Sequence, residues 1–212
     1  MLETNAGVET LIVECKRVQD TSWIFLVENL SSNKTSQVKS FVLRKKIEID
    51  KFQWSDVYVN PTSFESGFCI IPGNSGTSNS LLERVAAEIA LSTEALADEA
   101  IQLSPDGKNI DKIYYNVLVT TAKIQVCIVN PNEISISDGT IENPVFNEVP
   151  YIRFRKQLLS TVKITNKYEN YQNEEIARAK ESTLIVINSE HFLEFLSKFD
   201  WEKSHKNNQI FS

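Results

Sequence analysis

Apolar residues recur along this chain in two patterns. A stripe at intervals of three or four residues, from Leu82 to Leu103, predicts a long helix over 81–103, with Ser80 and Glu83 forming a capping box at its start. A second amphipathic helix is expected over 189–199 and a short polar one over 173–180. Short runs of β-branched and aromatic residues predict strands at 9–18, 23–28, 41–52, 57–59, 68–71, 114–121, 124–129, 149–154 and 184–187.

These elements predict one α/β or α+β domain, in which a mixed central β-sheet is flanked by helices. The segments 30–40 and 74–79 are polar and are expected to be exposed loops. Because the run 184–187 is almost wholly apolar, its strand is expected to be buried on both faces. No repeat or linker divides the chain, so we expect a single domain over 1–202 and a polar tail over 203–212.

Composition and charge narrow the class of protein. The 212 residues include 22 Lys and Arg against 28 Asp and Glu, a net charge of -6, which excludes a globally basic nucleic-acid binder but not a local basic patch. No apolar stretch approaches the roughly 20 residues of a membrane-spanning helix. The first residues lack the order of a secretory signal. We therefore expect a cytoplasmic protein with no membrane partner.

The three cysteines, Cys15, Cys69 and Cys127, are widely spaced, and each lies in an apolar run. This arrangement predicts reduced thiols in the core rather than a disulfide framework. With two histidines and no Cys-x-x-Cys pair, a structural zinc site is not expected.

The candidate chemistry lies at the end of the first predicted strand, where Glu14 and Lys16 are two residues apart and project from the same face. The apolar run 11–13 precedes them, so the pair is expected to end a buried strand. A carboxylate can hold Mg²⁺, and the metal and an adjacent lysine can together orient and acidify a water and offset charge on a phosphate. Arg17 adds positive charge where a phosphate backbone can approach. The alternative is a same-face ion pair on a solvated strand, with no catalytic role.

The run Glu14-Cys15-Lys16 resembles the (Asp/Glu)-x-Lys motif of the PD-(D/E)xK nuclease superfamily, the restriction-endonuclease-like fold. The segments VECKR with WIF, VPYIRFRK and INSEHF look like those of uncharacterised bacterial proteins grouped with that fold. The resemblance implies an Mg²⁺-dependent nuclease that acts on nucleic acid, with DNA favoured over RNA as the expected partner. It implies that Glu14 is a catalytic metal ligand and that Lys16 is a catalytic residue that positions water and stabilises charge.

The superfamily also uses an upstream acid, usually Asp, on the preceding strand of a hairpin. If 5–7 is the turn, the strand partner of Glu14 falls near or before Met1, and Glu3 and Glu9 lie too near the turn. We therefore expect an N-terminally incomplete fold, a degenerate site, or a site completed by a homodimer or a partner chain. The competing interpretation is a catalytically inactive nuclease-fold module that binds nucleic acid or protein.

Basic clusters supply further candidates for nucleic-acid binding. Strand alternation places Arg153 and Arg155 on one face and Ile152 and Phe154 on the other. Such a pair of arginines can bind phosphates bidentately, or it can cover a solvated sheet face; both alternatives remain open. With Arg17, these two arginines are the expected contacts to a nucleic-acid backbone. The cluster 44–46 is expected to be a charged, exposed strand edge.

Overall fold

In the computed structural model, the described residues are 8–28, 34–46, 49–71, 81–102, 111–141, 144–157 and 181–199. They form the strands β1 (Val8–Lys16), β2 (Ser22–Glu28), β3 (Thr35–Lys46), β4 (Ile49–Ser63), β5 (Glu65–Ser66), β6 (Cys69–Ile70), β7 (Asp111–Thr120), β8 (Lys123–Val129), β9 (Val145–Glu148), β10 (Tyr151–Gln157) and β11 (Glu181–Asn188). The helices are α1 (Leu81–Gln102) and α2 (Phe192–Lys198), with short 3₁₀ turns at Pro131–Glu133 and Ser189–His191.

The strands are divided between two mixed sheets. The larger, seven-stranded sheet has the order β4-β3-β7-β11-β10-β5, with β1 also paired to β7. It combines parallel pairs, such as β1 with β7 and β11 with β7, with antiparallel pairs such as β3 with β4. The four-stranded sheet has the order β6-β2-β8-β9. The predicted α/β architecture with mixed strand directions is confirmed, but the strands form two sheets where one central sheet was expected.

Two parallel strand pairs pass from one sheet into the other. β1 leads into β2, β7 leads into β8, and the two pairs are parallel in both sheets. At the junction, the backbone N–H of Val18 donates to the Thr121 hydroxyl at 2.9 Å, and this hydroxyl donates back to the Val18 carbonyl at 2.7 Å. These bonds fix the chain just after β1. Glu14 and Lys16 are among the last residues of that strand.

The core lies on both faces of the larger sheet. On one face, Leu118, Phe154 and Val186 pack against α1 and the smaller sheet, including the fully buried Trp23. On the opposite face, neighbouring residues of the same strands pack against α2. All four residues of Leu184–Ile187 are at most 2% exposed, so the predicted burial of this strand on both faces is confirmed. Of the predicted stripe, Leu82, Val85 and Ile89 are buried, whereas Leu96 is 40% exposed and Leu103 lies outside the described residues.

A buried polar network ties α1 to the larger sheet. The Thr93 hydroxyl lies 2.7 Å from the Asn116 side-chain oxygen, and the Asn116 amide donates to the Ser182 hydroxyl at 3.0 Å. None of the three residues is more than 2% exposed. Because buried polar groups are tolerated when they bond to one another, this chain of contacts fixes the register of α1 on β7 and β11.

The structure corrects the prediction for the region 30–52. β3 begins at Thr35, inside the expected loop 30–40, and the expected strand 41–52 is divided between antiparallel strands in which Lys46 is the partner of Ile49. Lys39 is only 9% exposed because its ammonium lies 3.7 Å from Asp56 and its backbone N–H donates to Thr183. The start of β3 is polar and is stabilised by residues distant in sequence, so no local apolar pattern identified it as a strand.

The predicted strand edge at 44–46 is wrong for Arg44, because its backbone pairs with Lys51 of β4 on one side and Asp111 of β7 on the other. Other sequence predictions lie outside the described residues: the turn at 5–7, the loop 74–79, the cap at Ser80, the helix 173–180, the tail 203–212 and the side chains of 44–46. No helix in the described part of the chain is long and apolar enough to span a membrane.

The cysteines are free, as expected, but they do not share one environment. Cys127 is buried and Cys69 is half-buried, whereas Cys15 is exposed, so its predicted core location is wrong. On the same face of β1, Val13 is also 42% exposed, although its register partner Val117 on β7 is buried. Burial, assisted by the charge of Glu83, raises the pKa of the Cys69 thiol to about 12.

These environments predict that one thiol of the native protein reacts fast with a disulfide reagent at pH 8. Reactivity follows thiolate population and access, which favours Cys15 over Cys69 and Cys127. Absorbance from a chromogenic disulfide should show one fast equivalent in the native protein and three in denaturant. Cys15→Ser should remove the fast phase. A fast phase that survives this substitution would contradict the placement of Cys15.

Candidate functional site

Glu14 and Lys16 lie at the carboxyl end of β1, opposite Leu118 and Thr120 of β7. Alternate residues of a strand project to the same side, so both side chains share the face on which Ile12 packs against the α1 core. Glu14 is exposed, Lys16 is half-buried, and Arg17, the next residue, is exposed. The structure therefore places these three predicted site residues side by side at an accessible strand end.

The expectation that Glu14 and Lys16 end a buried strand is corrected. Leu11 and Ile12 are half-buried and Val13 is exposed. Among the described strands, β1 pairs only with β7, so its other edge carries no described partner. The acid at the end of this strand is exposed and the lysine is half-buried.

Lys16 belongs to a row of residues at the carboxyl ends of three parallel strands. Thr120 of β7 is the register partner of both Lys16 and Asn188 of β11. The Asn188 amide donates to the Ala122 carbonyl at 2.8 Å, and the Thr120 hydroxyl accepts from the Ala122 N–H at 3.1 Å. These two side chains therefore hold the turn from β7 to β8. The carboxyl ends of parallel strands are where open α/β sheets bind ligands.

The described residues offer a divalent cation few protein ligands. No group of three or more His, Cys, Asp or Glu side chains in this part of the chain is placed to hold a metal ion. Mg²⁺ is commonly bound through one or two carboxylates, with water and substrate phosphates completing its coordination. The exposed Glu14 carboxylate fits that mode of binding, in which the substrate supplies part of the site.

Arg153 is among the most deeply buried side chains, at 1% exposed. Its guanidinium donates to the carbonyls of Val59 and Pro61, both at 2.9 Å, and to the Ser63 hydroxyl at 2.6 Å. Burial lowers its pKa to about 10, which leaves it a cation at neutral pH. The end of β4 therefore encloses this charge and provides its acceptors.

The predicted division of faces on β10 is confirmed, because Ile152 and Phe154 pack into the α1 core on the side opposite Arg153 and Arg155. The two roles considered for the arginine pair, phosphate contact and cover of a solvated face, both require access to solvent. Arg153 has no such access in this structure, so the geometry gives its expected contact with nucleic acid no support.

Arg155 is half-buried and engages two carboxylates. Its Nη1 lies 3.0 Å from Asp56 Oδ1, and its Nη2 lies 2.9 Å from Glu181 Oε2. Burial acts to lower the pKa of Arg155, but the charges of Asp56 and Glu181 outweigh it and raise this pKa. A phosphate would have to displace two close ion pairs to reach this guanidinium.

Arg155 also lines a cleft of about 450 Å³, which we call the Glu65 cleft. Its walls are formed by Gln37, Lys39, Asp56, Glu65, Arg155 and Glu181, which come from five different strands. Burial raises the pKa of the Glu65 carboxyl, although Arg155 and Arg153 act in the opposite direction. The sequence analysis missed this cleft, because residues so distant along the chain share no spacing that marks them as neighbours.

No protein-family model, curated protein sequence or solved structure matches this chain. Assignment of a function therefore rests on the residues and on their geometry.

Proposed function

We propose that this chain has a restriction-endonuclease-like fold and serves the metal-dependent hydrolysis of nucleic-acid phosphodiesters, with DNA as the substrate. The observation that carries the proposal is the placement of Glu14 and Lys16 on one face of β1, at an accessible strand end beside Arg17. Together these groups supply a carboxylate that can hold a cation, an ammonium that can orient water and a guanidinium that can contact a phosphate.

Each residue has a distinct role in this proposal. Glu14 is exposed and holds the cation together with the substrate phosphate. A bound Mg²⁺ acidifies water and offsets charge on the phosphate. Lys16 is half-buried, so its ammonium has fewer positions open to it than a surface lysine and can orient the attacking water. Arg17 is exposed and contacts the backbone phosphates.

The test is cleavage of supercoiled plasmid and of single-stranded DNA. We expect nicked or linear product with Mg²⁺ or Mn²⁺ and none in EDTA. Glu14→Gln removes the charge with little change in size, and we expect it to slow cleavage by at least about 100-fold. Glu148→Gln, on the exposed strand β9, is the matched control and should cleave at the unsubstituted rate.

Binding without cleavage would favour the second function, a catalytically inactive nuclease-fold module. The observation that favours it is that Arg17 is exposed beside Lys16, where both side chains can contact a phosphate backbone without any cleavage. Such a module should bind DNA with an affinity that falls steeply with salt, since each phosphate contact adds about 0.9 to the slope of log K against log salt. Arg17→Ala should lower that slope. Absence of both cleavage and salt-sensitive binding would overturn both functions.

A further inference from the structure

We propose that the edge of β1 opposite β7, which we call the open edge, is an interface at which β1 pairs antiparallel with β1 of a second copy of the chain. Among the described strands, β1 pairs only with β7, over its whole length of nine residues. Natural sheets protect long edges with charged residues, with proline or with a covering element. The centre of β1, at 11–13, is Leu-Ile-Val and carries neither charge nor proline.

The backbone of β1 directs hydrogen-bonding groups to the open edge. The Lys16 carbonyl accepts from the N–H of Thr121, just after β7, at 3.4 Å, so Lys16 and the other even-numbered residues of β1 face β7. Because the N–H and C=O groups of successive strand residues point to opposite sides, the odd-numbered residues from Glu9 to Cys15 direct theirs away from β7. An added strand can pair with these groups, which is how extended segments bind a sheet edge.

Side chains near the end of β1 are also poorly covered. Val13 is 42% exposed although its partner Val117 on β7 is buried, and Cys15 is exposed. In an antiparallel pair centred on Val13, the two Val13 side chains lie opposite each other, and Leu11 lies opposite the partner's Cys15. Pairing in this register would remove apolar surface from water at the centre of the joined sheet.

The order of charges along β1 identifies the occupant as a second copy that runs in the opposite direction. The half 8–12 carries the single charge of Glu9, whereas the half 13–17 contains one acidic and two basic residues. An antiparallel copy sets the acidic half of each strand against the basic half of the other, and the register centred on Val13 places Glu9 opposite the partner's Arg17. A parallel copy would set like halves together. The strand is therefore complementary to its own reverse.

The same register brings the Glu14 side chains of the two copies together. Glu14 and Lys16 project from the face of β1 opposite to that of Val13, so the contacts of Val13 leave them uncovered. Each Glu14 is a diagonal neighbour of the partner's Glu14, and such neighbours are about 7–8 Å apart. A divalent cation can then bind one carboxylate from each copy. This shared cation site rests on the proposed function, whereas the interface does not.

The first test is sedimentation equilibrium of the full chain at about 5–500 µM. We expect a monomer–dimer equilibrium with a dissociation constant of about 100 µM or tighter. Val13→Lys sets two ammonium groups against each other at the centre of the interface and should weaken association by at least about tenfold. The matched control is Val145→Lys, at an exposed valine of the edge strand β9, which should associate as the unsubstituted protein does. Thermal unfolding checks that both variants are folded.

Oxidation with diamide tests the register. Val13→Cys in a Cys15→Ser chain places two thiols opposite each other with Cα atoms about 5.5 Å apart, a distance that a disulfide spans. The matched control is Val8→Cys in the same chain, at a similarly exposed valine whose two copies would be about 33 Å apart. We expect a disulfide-linked dimer on a non-reducing gel from Val13→Cys and not from Val8→Cys. Equal crosslinking of the two would overturn the register.

Comparison of Mg²⁺ with EDTA separates the interface from the shared cation site. We expect Mg²⁺ to tighten association of the unsubstituted chain by at least about tenfold and to leave Glu14→Gln unchanged. A dimer that ignores Mg²⁺ overturns the shared site, and a dimer that responds to Mg²⁺ without cleaving DNA counts against the proposed nuclease alone. The interface is overturned if folded Val13→Lys protein associates unchanged. It is also overturned if the protein stays monomeric at about 500 µM, a result that assigns the open edge to a different strand.

Discussion

Replacement of Arg153 by alanine is expected to lower the free energy of unfolding by about 3–5 kcal/mol, as is typical when one member of a buried charged network is removed. The substitution leaves the carbonyls of Val59 and Pro61 and the hydroxyl of Ser63 without their donor. It also leaves a cavity in a site that is 1% exposed. Urea unfolding followed by tryptophan fluorescence measures the loss.

Two further variants test whether the loss of stability comes from the buried guanidinium of Arg153. Arg84→Ala removes an exposed arginine from α1 and should change the unfolding free energy by less than about 0.5 kcal/mol. Arg153→Lys keeps the charge, but one ammonium cannot reproduce the planar set of donors that reaches three acceptors, so we expect an intermediate loss. An Arg153→Ala protein as stable as Arg84→Ala would show that the guanidinium is not held as the structure places it.

The burial of Arg153 changes the predicted nucleic-acid surface. Of the three arginines expected to contact a phosphate backbone, Arg153 is enclosed and Arg155 is held by Asp56 and Glu181. Only Arg17 is exposed, and it is also the one that adjoins Lys16. The larger sheet thus has two charged sites: the exposed end of β1 with Arg17, and the Glu65 cleft, where Arg155 is held in ion pairs.

Sequence patterns predicted the helices and strands that bury apolar residues at regular intervals along one face. The stripe from Leu82 onward identified α1, and alternation placed Ile152 and Phe154 on the core side of β10. The predicted strand at 23–28 corresponds to β2, in which Trp23 and Phe25 are fully buried. In each case a single strand or helix buries several apolar residues in register, which a local pattern can reveal.

The same patterns failed where burial depends on distant polar partners. Lys39 is buried by contacts with Asp56 and Thr183, and the latter is 144 residues away. Arg153 is buried because the end of β4 folds over it, about 90 residues earlier in the chain. Contacts between residues so far apart produce no regular spacing in the sequence that could reveal them. The same reason explains why Glu14 and Lys16 were found as candidates and the Glu65 cleft was not.

Replacement of Lys16 by alanine is expected to reduce the rate of DNA cleavage at saturating substrate by about 10²–10⁴-fold, the range for a group that assists proton transfer or offsets charge at the reacting centre. The physical reason is position: Lys16 projects from the same face of β1 as Glu14, beside the phosphate that the carboxylate and its cation would hold. Time courses of plasmid nicking with Mg²⁺, at several DNA concentrations, separate the rate at saturation from the apparent affinity.

Three comparisons decide what a loss of cleavage means. Lys198→Ala removes an exposed lysine that is paired with Glu194 on α2, and it should cleave at the unsubstituted rate. Lys16→Arg keeps the charge and should retain part of the activity, because a guanidinium can still offset phosphate charge. It should not restore full activity, because the planar guanidinium cannot orient a water molecule as the compact ammonium does. If Lys16→Ala lowers the affinity for DNA but leaves the saturated rate unchanged, Lys16 is a phosphate contact. If neither quantity changes, Glu14 and Lys16 form only a same-face pair on an exposed strand, and cleavage must be sought elsewhere in the chain.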